Sequence, residues 1–137
     1  MDERTFTKTV AERLRCDTRR AEGVCLTVLR ALRDHLTPAE SGHVAAQLPK
    51  PLQRLWLEGE HAERRPSRMH REEFINLVRH GAPLPDEAEA ERAVRAVFGV
   101  LQEALGDPAG VTGEAGDVLS QLPKDLKTLW LQANRHP

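Results

Sequence analysis

Three features of this 137-residue sequence predict an all-α fold. Apolar residues recur at spacings of three and four through most of the chain, and cap and proline signals punctuate those stripes. No stretch alternates with a period of two, and β-branched residues never cluster, so no strand is expected. The composition suits a globular chain, with 39% hydrophobic and 30% charged residues and a formal net charge of −1.

Eight helices are expected. Phe6, Val10 and Leu14 recur every four residues and mark the first, from about Glu3 to Arg15. Asp17 or Thr18 caps the second, whose apolar face carries Ala21, Val24, Cys25, Val28, Leu29, Leu32 and Leu36 opposite a face of Arg, Glu and Asp. Thr37-Pro38-Ala39-Glu40 starts the third: Thr caps, Pro takes the first helical position, and Glu40 is expected to reach back to the cap amide. Pro49 ends that helix and opens a fourth, on which Leu52, Leu55 and Trp56 share a face before Gly59 stops it. Residues 59–66 have no apolar periodicity and read as a solvated linker, after which Ser67 caps a fifth helix carrying Phe74, Leu77 and Val78. Asp86 with Glu89 opens the sixth, a long stripe of Ala90, Ala93, Val94, Val97, Phe98, Leu101 and Leu105 that runs to Gly106. Thr112 starts the seventh and Pro123 the eighth.

The segment from Gln47 to Leu57 recurs from Gln121 to Leu131 with eight of eleven positions identical. Glu40, Gly42 and Val44 match Glu114, Gly116 and Val118 at the same offset of 74; Val28-Leu29 aligns with Val100-Leu101 at 72, and Phe6 and Val10 with Phe74 and Val78 at 68. The expected organisation is two pseudo-symmetric four-helix units, 1–58 and 67–137, joined by 59–66 and packed into one compact helical bundle that forms one shared domain.

The repeated Gln-Leu-Pro-Lys-x-Leu-x-x-Leu-Trp element supplies the candidate interaction or unit-interface residues Gln47, Lys50, Trp56, Gln121, Lys124 and Trp130. Proline pre-sets the helix start, Gln is placed to satisfy carbonyls of the preceding helix, and Leu and Trp anchor the last helix on the core. A groove lined by the paired Lys and Gln is the functional counterpart of that packing role. Trp56 and Trp130 are expected in the core, because a ligand cage needs several aromatics and only Phe6, Phe74 and Phe98 remain.

Catalysis and metal chemistry find little support in the sequence, and no cofactor is expected. No two of the six histidines have i, i+4 spacing, and no Cys/His cluster has zinc-ligand spacing. Glu58-Gly59-Glu60-His61 offers a Glu-x-x-His of the kind that di-iron bundles use twice, but the repeat places Gln132 and Arg135 at the second copy. There is no phosphate-binding glycine loop and no nucleophile signature. Cys16 and Cys25 are expected to be unpaired, Cys25 as a small core residue. Residues 1–69 carry 13 Lys and Arg against 10 Asp and Glu, and residues 70–137 carry 7 against 11. Arg13, Arg15, Arg19 and Arg20 form a candidate anion patch, with a second cluster at Arg64, Arg65, Arg68 and Arg71. Interspersed acids and a net charge of −1 argue against nucleic acid as the partner.

The order Phe6, Val10, Arg13, then Ala21, Val28, Leu29, Leu32 and Leu36, then Ala45-Ala46-Gln47-Leu48-Pro49, with Gln121-Leu122-Pro123 in the second unit, resembles the prokaryotic domain-of-unknown-function 2267 family. The resemblance spans nearly the whole chain. It implies a small helical bacterial or archaeal protein of two similar units and brings no catalytic residues. The expected role is a non-enzymatic protein-interaction or scaffold module that binds another protein or itself. The alternatives are weak binding of nucleic acid or another anion through the Arg clusters, and small-molecule sensing between the units. The N-terminus mixes signs and lacks the apolar run of a secretory signal, and no stretch approaches the ~20 apolar residues of a membrane span; cytoplasmic residence without membrane contact is therefore expected.

Overall fold

A computed structural model describes residues 1–135, so the last two residues of the expected second unit lie outside the described part. Its elements are α1 (Glu3–Leu14), α2 (Thr18–Asp34), α3 (Pro38–Gln47), α4 (Lys50–Leu57), α5 (Arg71–Gly81), α6 (Glu87–Ala104), α7 (Gly113–Ser120) and α8 (Lys124–Gln132), with no strand among the described residues. The all-α class is as the stripes and caps predict. Asp2, Asp17 and Asp86 each accept an amide of the first turn they cap, at 2.8, 2.8 and 2.9 Å.

The long helices make the centre. α1 packs on α2, α5 packs on α6, and the two hairpins join through α1 against α6 and α2 against both α5 and α6. The short helices flank them: α4 lies on α2, α8 on α6, and α3 meets α7. One hydrophobic cluster runs from Phe6 to Trp130. Cys25 lies in it, 1% exposed, where burial pushes its thiol up to about 12. Cys16 is also free. An aromatic chain crosses the centre from His35 to Phe74, Phe98 and Trp130, with ring centroids 5.3, 5.8 and 5.2 Å apart.

Two expectations for α5 are corrected. His70, not Ser67, is its cap residue, and Glu73 reaches back to accept the His70 amide at 3.4 Å. Ser67 is held elsewhere, its amide donating to the Asp34 carbonyl at 2.6 Å. The buried face of α5 is Phe74, Ile75 and Val78, while Leu77 is 42% exposed, because the helix is wedged between α2 and α6 and presents a face rotated away from Leu77.

A further correction concerns Arg33, which the sequence places on the solvated face of α2. It is 5% exposed. Its guanidinium donates to the carbonyls of Trp56 (3.1 Å) and Glu58 (2.5 Å), groups that the end of α4 leaves without helical partners. Buried Gln102 of α6 does the same for α8, donating to the Trp130 carbonyl at 2.8 Å. The positions with equivalent jobs in α2 and α6 are 69 apart (Asp17 with Asp86, Arg33 with Gln102), not the 72 read from Val28 and Val100.

The segment 59–66 is not a slack solvated loop. Arg64 grips both oxygens of Glu60 (2.6 and 2.9 Å) and donates to the carbonyls of Asp34 (3.1 Å) and Leu36 (2.9 Å), so it covers the C-terminal end of α2. The Arg64 hydrogen bonds outweigh burial and hold the Glu60 carboxyl down at about 2.

Trp56 and Trp130 are 1% and 0% exposed, and each indole N–H is used, on Ser41 (carbonyl at 3.0 Å and hydroxyl at 3.1 Å) and on the Gly110 carbonyl (2.8 Å). Replacing either by Ala is expected to cost about 3–5 kcal/mol in urea denaturation. Glu60→Gln is expected to cost roughly 2 kcal/mol at neutral pH. Because folding lowers the Glu60 value from 4.5 to about 2, its stabilisation is complete above 4.5 and is lost as pH falls towards 2. The gap between wild type and Glu60→Gln should therefore close over that window, as read from denaturation midpoints at stepped pH.

Candidate functional site at the junction of α3 and α7

α3 begins with Thr37, whose hydroxyl accepts the Glu40 amide at 3.1 Å, followed by Pro38 at the first helical position. The approach of α7 is set by the loop before it. Asp107 accepts the amides of Ala109, Val111 and Thr112 and the Thr112 hydroxyl at 2.7–3.0 Å, and the bonds from Thr112 do most to hold its carboxyl at about 2. Thr112 thus spends its hydroxyl on this loop rather than on the helix it precedes. Gly110 has φ +74, and a Cβ there would lie 2.7 Å from Nε1 of Trp130 and from Nε2 of Gln102, so only glycine lets the loop close over the indole.

The capping box predicted for α3 does not form. The Thr37 amide donates instead to Oε1 of Gln121, at 3.0 Å, across 84 residues of sequence. Released from the cap, Glu40 meets Glu114 of α7, and His43, one turn on, stands beside them with Nδ1 3.7 Å from Glu40 Oε2. One ligand atom from each of the three residues lies within 4.8 Å of the others. Oε2 of Glu40 and Oε2 of Glu114 are both buried and have no hydrogen-bond partner. Burial, reinforced by the facing Glu40 carboxylate and by the charge of Asp117, pushes the Glu114 carboxyl up to about 8.

Below this junction lies a cleft of about 490 Å³ lined by His35, Thr37, Pro66, Ser67, Arg68, His70, Gln121, Leu122 and Pro123. His35 forms a fixed wall, 3% exposed, with Nδ1 2.7 Å from the Ala31 carbonyl and Nε2 3.0 Å from that of Met69. Arg68 and His70 are exposed at its rim, and Nδ1 of His70 is 3.4 Å from Asp125.

Of the residues singled out from the repeated element, Gln121 alone lines this cleft. Gln47, Lys50 and Lys124 are exposed, and Trp56 and Trp130 are sealed in the core, so the element builds no shared groove. At the end of α3 it is Gln53, not Gln47, that meets a carbonyl, its Nε2 donating to that of Ala45 at 3.0 Å. The anion patch is partly consumed as well. Arg13 pairs with Glu103 at 2.5 Å and donates to Asn134, and Arg20 donates to the Pro83 carbonyl at 2.9 Å. Arg15 is the left-handed residue that ends α1, at φ 54, and is exposed together with Arg19.

Glu40, His43 and Glu114 escape a search for sequence-local metal spacing because two helices supply them. The signal was nevertheless present: Glu40-Ser41-Gly42-His43 is a Glu-x-x-His, and Glu40 aligns with Glu114 at the offset of 74. Gln121→Ala should cost about 1 kcal/mol in chemical denaturation by stranding the Thr37 amide, whereas Gln47→Ala, exposed and without that bond, should be neutral.

No helix is long and apolar enough to cross a membrane among the described residues. A search of curated proteins found no match to the chain. A family model matches residues 3–129, nearly the whole chain: the chain belongs to the family described as Uncharacterized conserved protein (DUF2267).

Proposed function

We propose that this chain is a non-enzymatic protein-interaction module that takes an extended acidic segment of a partner protein into the cleft below α3 and α7. The observation that carries the reading is the lining of that cleft: Arg68 and His70 stand at the rim over an apolar floor of Pro66, Leu122 and Pro123. A carboxylate-bearing peptide pairs with the first and covers the second. The floor is rigid, since His35, Gln121 and Ser67 are each tied to backbone groups. A preformed surface of this kind loses little entropy on binding. The same reading takes the chain as two tandem helical units, on the strength of the recurring Gln-Leu-Pro-Lys turn, and as a cytoplasmic protein of a prokaryote.

A second reading, a small anionic ligand sensed between the units, is favoured by the cleft's volume of about 490 Å³, within the ~300–1,000 Å³ typical of small-molecule sites. Duplex nucleic acid is disfavoured, because Arg13, Arg20 and Arg64 already serve internal partners.

Selection of a displayed random-peptide library on the purified protein tests the proposal. Recovered peptides should be acidic and compete with one another, and Arg68→Glu should weaken them at least about tenfold at unchanged melting temperature. Peptides without acidic bias, or affinity indifferent to Arg68→Glu, would overturn it.

A further inference from the structure

We propose that Glu40, His43 and Glu114 form a binding site for a divalent transition-metal ion of the zinc class, which ties α3 to α7. The donor set is two carboxylates and one imidazole, the nitrogen and oxygen chemistry such ions prefer. Its ligand atoms already converge within 4.8 Å. Around a zinc ion with bonds of about 2.0–2.2 Å, neighbouring donors stand about 3–4 Å apart. Side-chain rotation closes the difference, and His43, 69% exposed, is free to turn.

A separate observation points to a ligand rather than to crowded surface acids. Oε2 of Glu40 and Oε2 of Glu114 are shielded from solvent yet accept no hydrogen bond, although a buried oxygen without a partner is costly. The Glu40 side chain as a whole is 13% exposed. Among the described residues no Lys or Arg pairs with either carboxylate, and the further charge beside Glu114 is Asp117, of the same sign. A cation between the two oxygens answers the orphaned acceptors and the like-charge contact together. Three protein donors leave at least one coordination position for water or an exogenous ligand.

This inference is independent of the peptide cleft. The test uses the tag-free full chain, stripped with EDTA and dialysed, then titrated with Zn²⁺ by calorimetry and by thermal melting. One ion should bind per chain and raise the melting temperature in a concentration-dependent manner. His43→Ala, at an exposed position where folding is not at stake, and the near-isosteric Glu114→Gln should each weaken Zn²⁺ by at least about tenfold. The double variant Cys16→Ala, Cys25→Ala, which keeps the core position of Cys25 apolar, should bind as the wild type does, and Mg²⁺ should bind far more weakly than Zn²⁺. Absence of Zn²⁺ binding at millimolar concentration, affinity unchanged in His43→Ala and Glu114→Gln, or binding lost with the cysteines would each overturn the proposal.

Discussion

The carbonyl groups of Trp56 and Trp130 are each held by a side chain buried in a long helix, Arg33 of α2 and Gln102 of α6. The arrangement of α4 and α8 depends on those bonds. Helices of eight and nine residues are too short to stand in water, and each buries a tryptophan whose carbonyl lies at the unsatisfied end of its helix. A buried donor at that point attaches the helix through a carbonyl that α4 leaves without a helical partner and that in α8 otherwise accepts the Ala133 amide at 3.3 Å. Arg33 adds a charge to the task and spreads it over Trp56, Glu58 and Asp34, whereas Gln102 manages α8 without charge while its own carbonyl accepts from Asn134 at 3.3 Å.

The loops follow from the same constraint. Once α4 is fixed on α2, the chain must return past the carbonyls at the end of α2, and Arg64 meets those of Asp34 and Leu36 on the way. Once α8 is fixed on α6, the loop before α7 must let an indole through, which Gly110 permits and Asp107 braces. Ser41 faces Trp56 where the aligned position near Trp130 is Ala115, so the second indole finds its acceptor in the loop instead. Helix contacts between α1 and α6 and between α2 and α5 then close one cluster around Phe74 and Phe98.

What was legible in the sequence is what short-range physics decides. Asp17, Thr37 and Asp86 announce helix starts because a cap bonds an amide three residues on, and the stripe of α6 is visible because burial follows the helical period. What was hidden depends on partners far along the chain. Arg33 reads as solvated until α4 lies over it, Glu60 and Arg64 read as a polar linker until α2 ends beneath them, and Leu77 reads as core until α5 is seen to be wedged between two helices. Gln121 is the clearest case: it displaces Glu40 from a cap that local rules assign to Glu40. The candidate site is legible in part for the same reason: Glu40-x-x-His43 is a local signal, but Glu114 joins it only where α3 meets α7.

The junction of α3 and α7 is also where the fold departs from its cheapest solution. Glu40 and Glu114 both lie in the first turn of a helix, where the helix dipole stabilises an anion by about 0.3–1 kcal/mol. That favour acts on each carboxylate separately and offsets neither the cost of burial nor, behind it, their mutual repulsion, which is why the Glu114 carboxyl rises to about 8 rather than falling. Packing needs alone would be met by Gln or Leu at either position. The second half of the chain does place Ala115 where the first has Ser41, and Asp125 where the first has Pro51, so the aligned segments are free to diverge where their packing differs. Two facing acids, kept at aligned positions and left with unpartnered oxygens, are a local conflict that the surrounding helices hold in place rather than relieve, and such conflicts are the positions at which a stable fold commits residues to something other than its own stability.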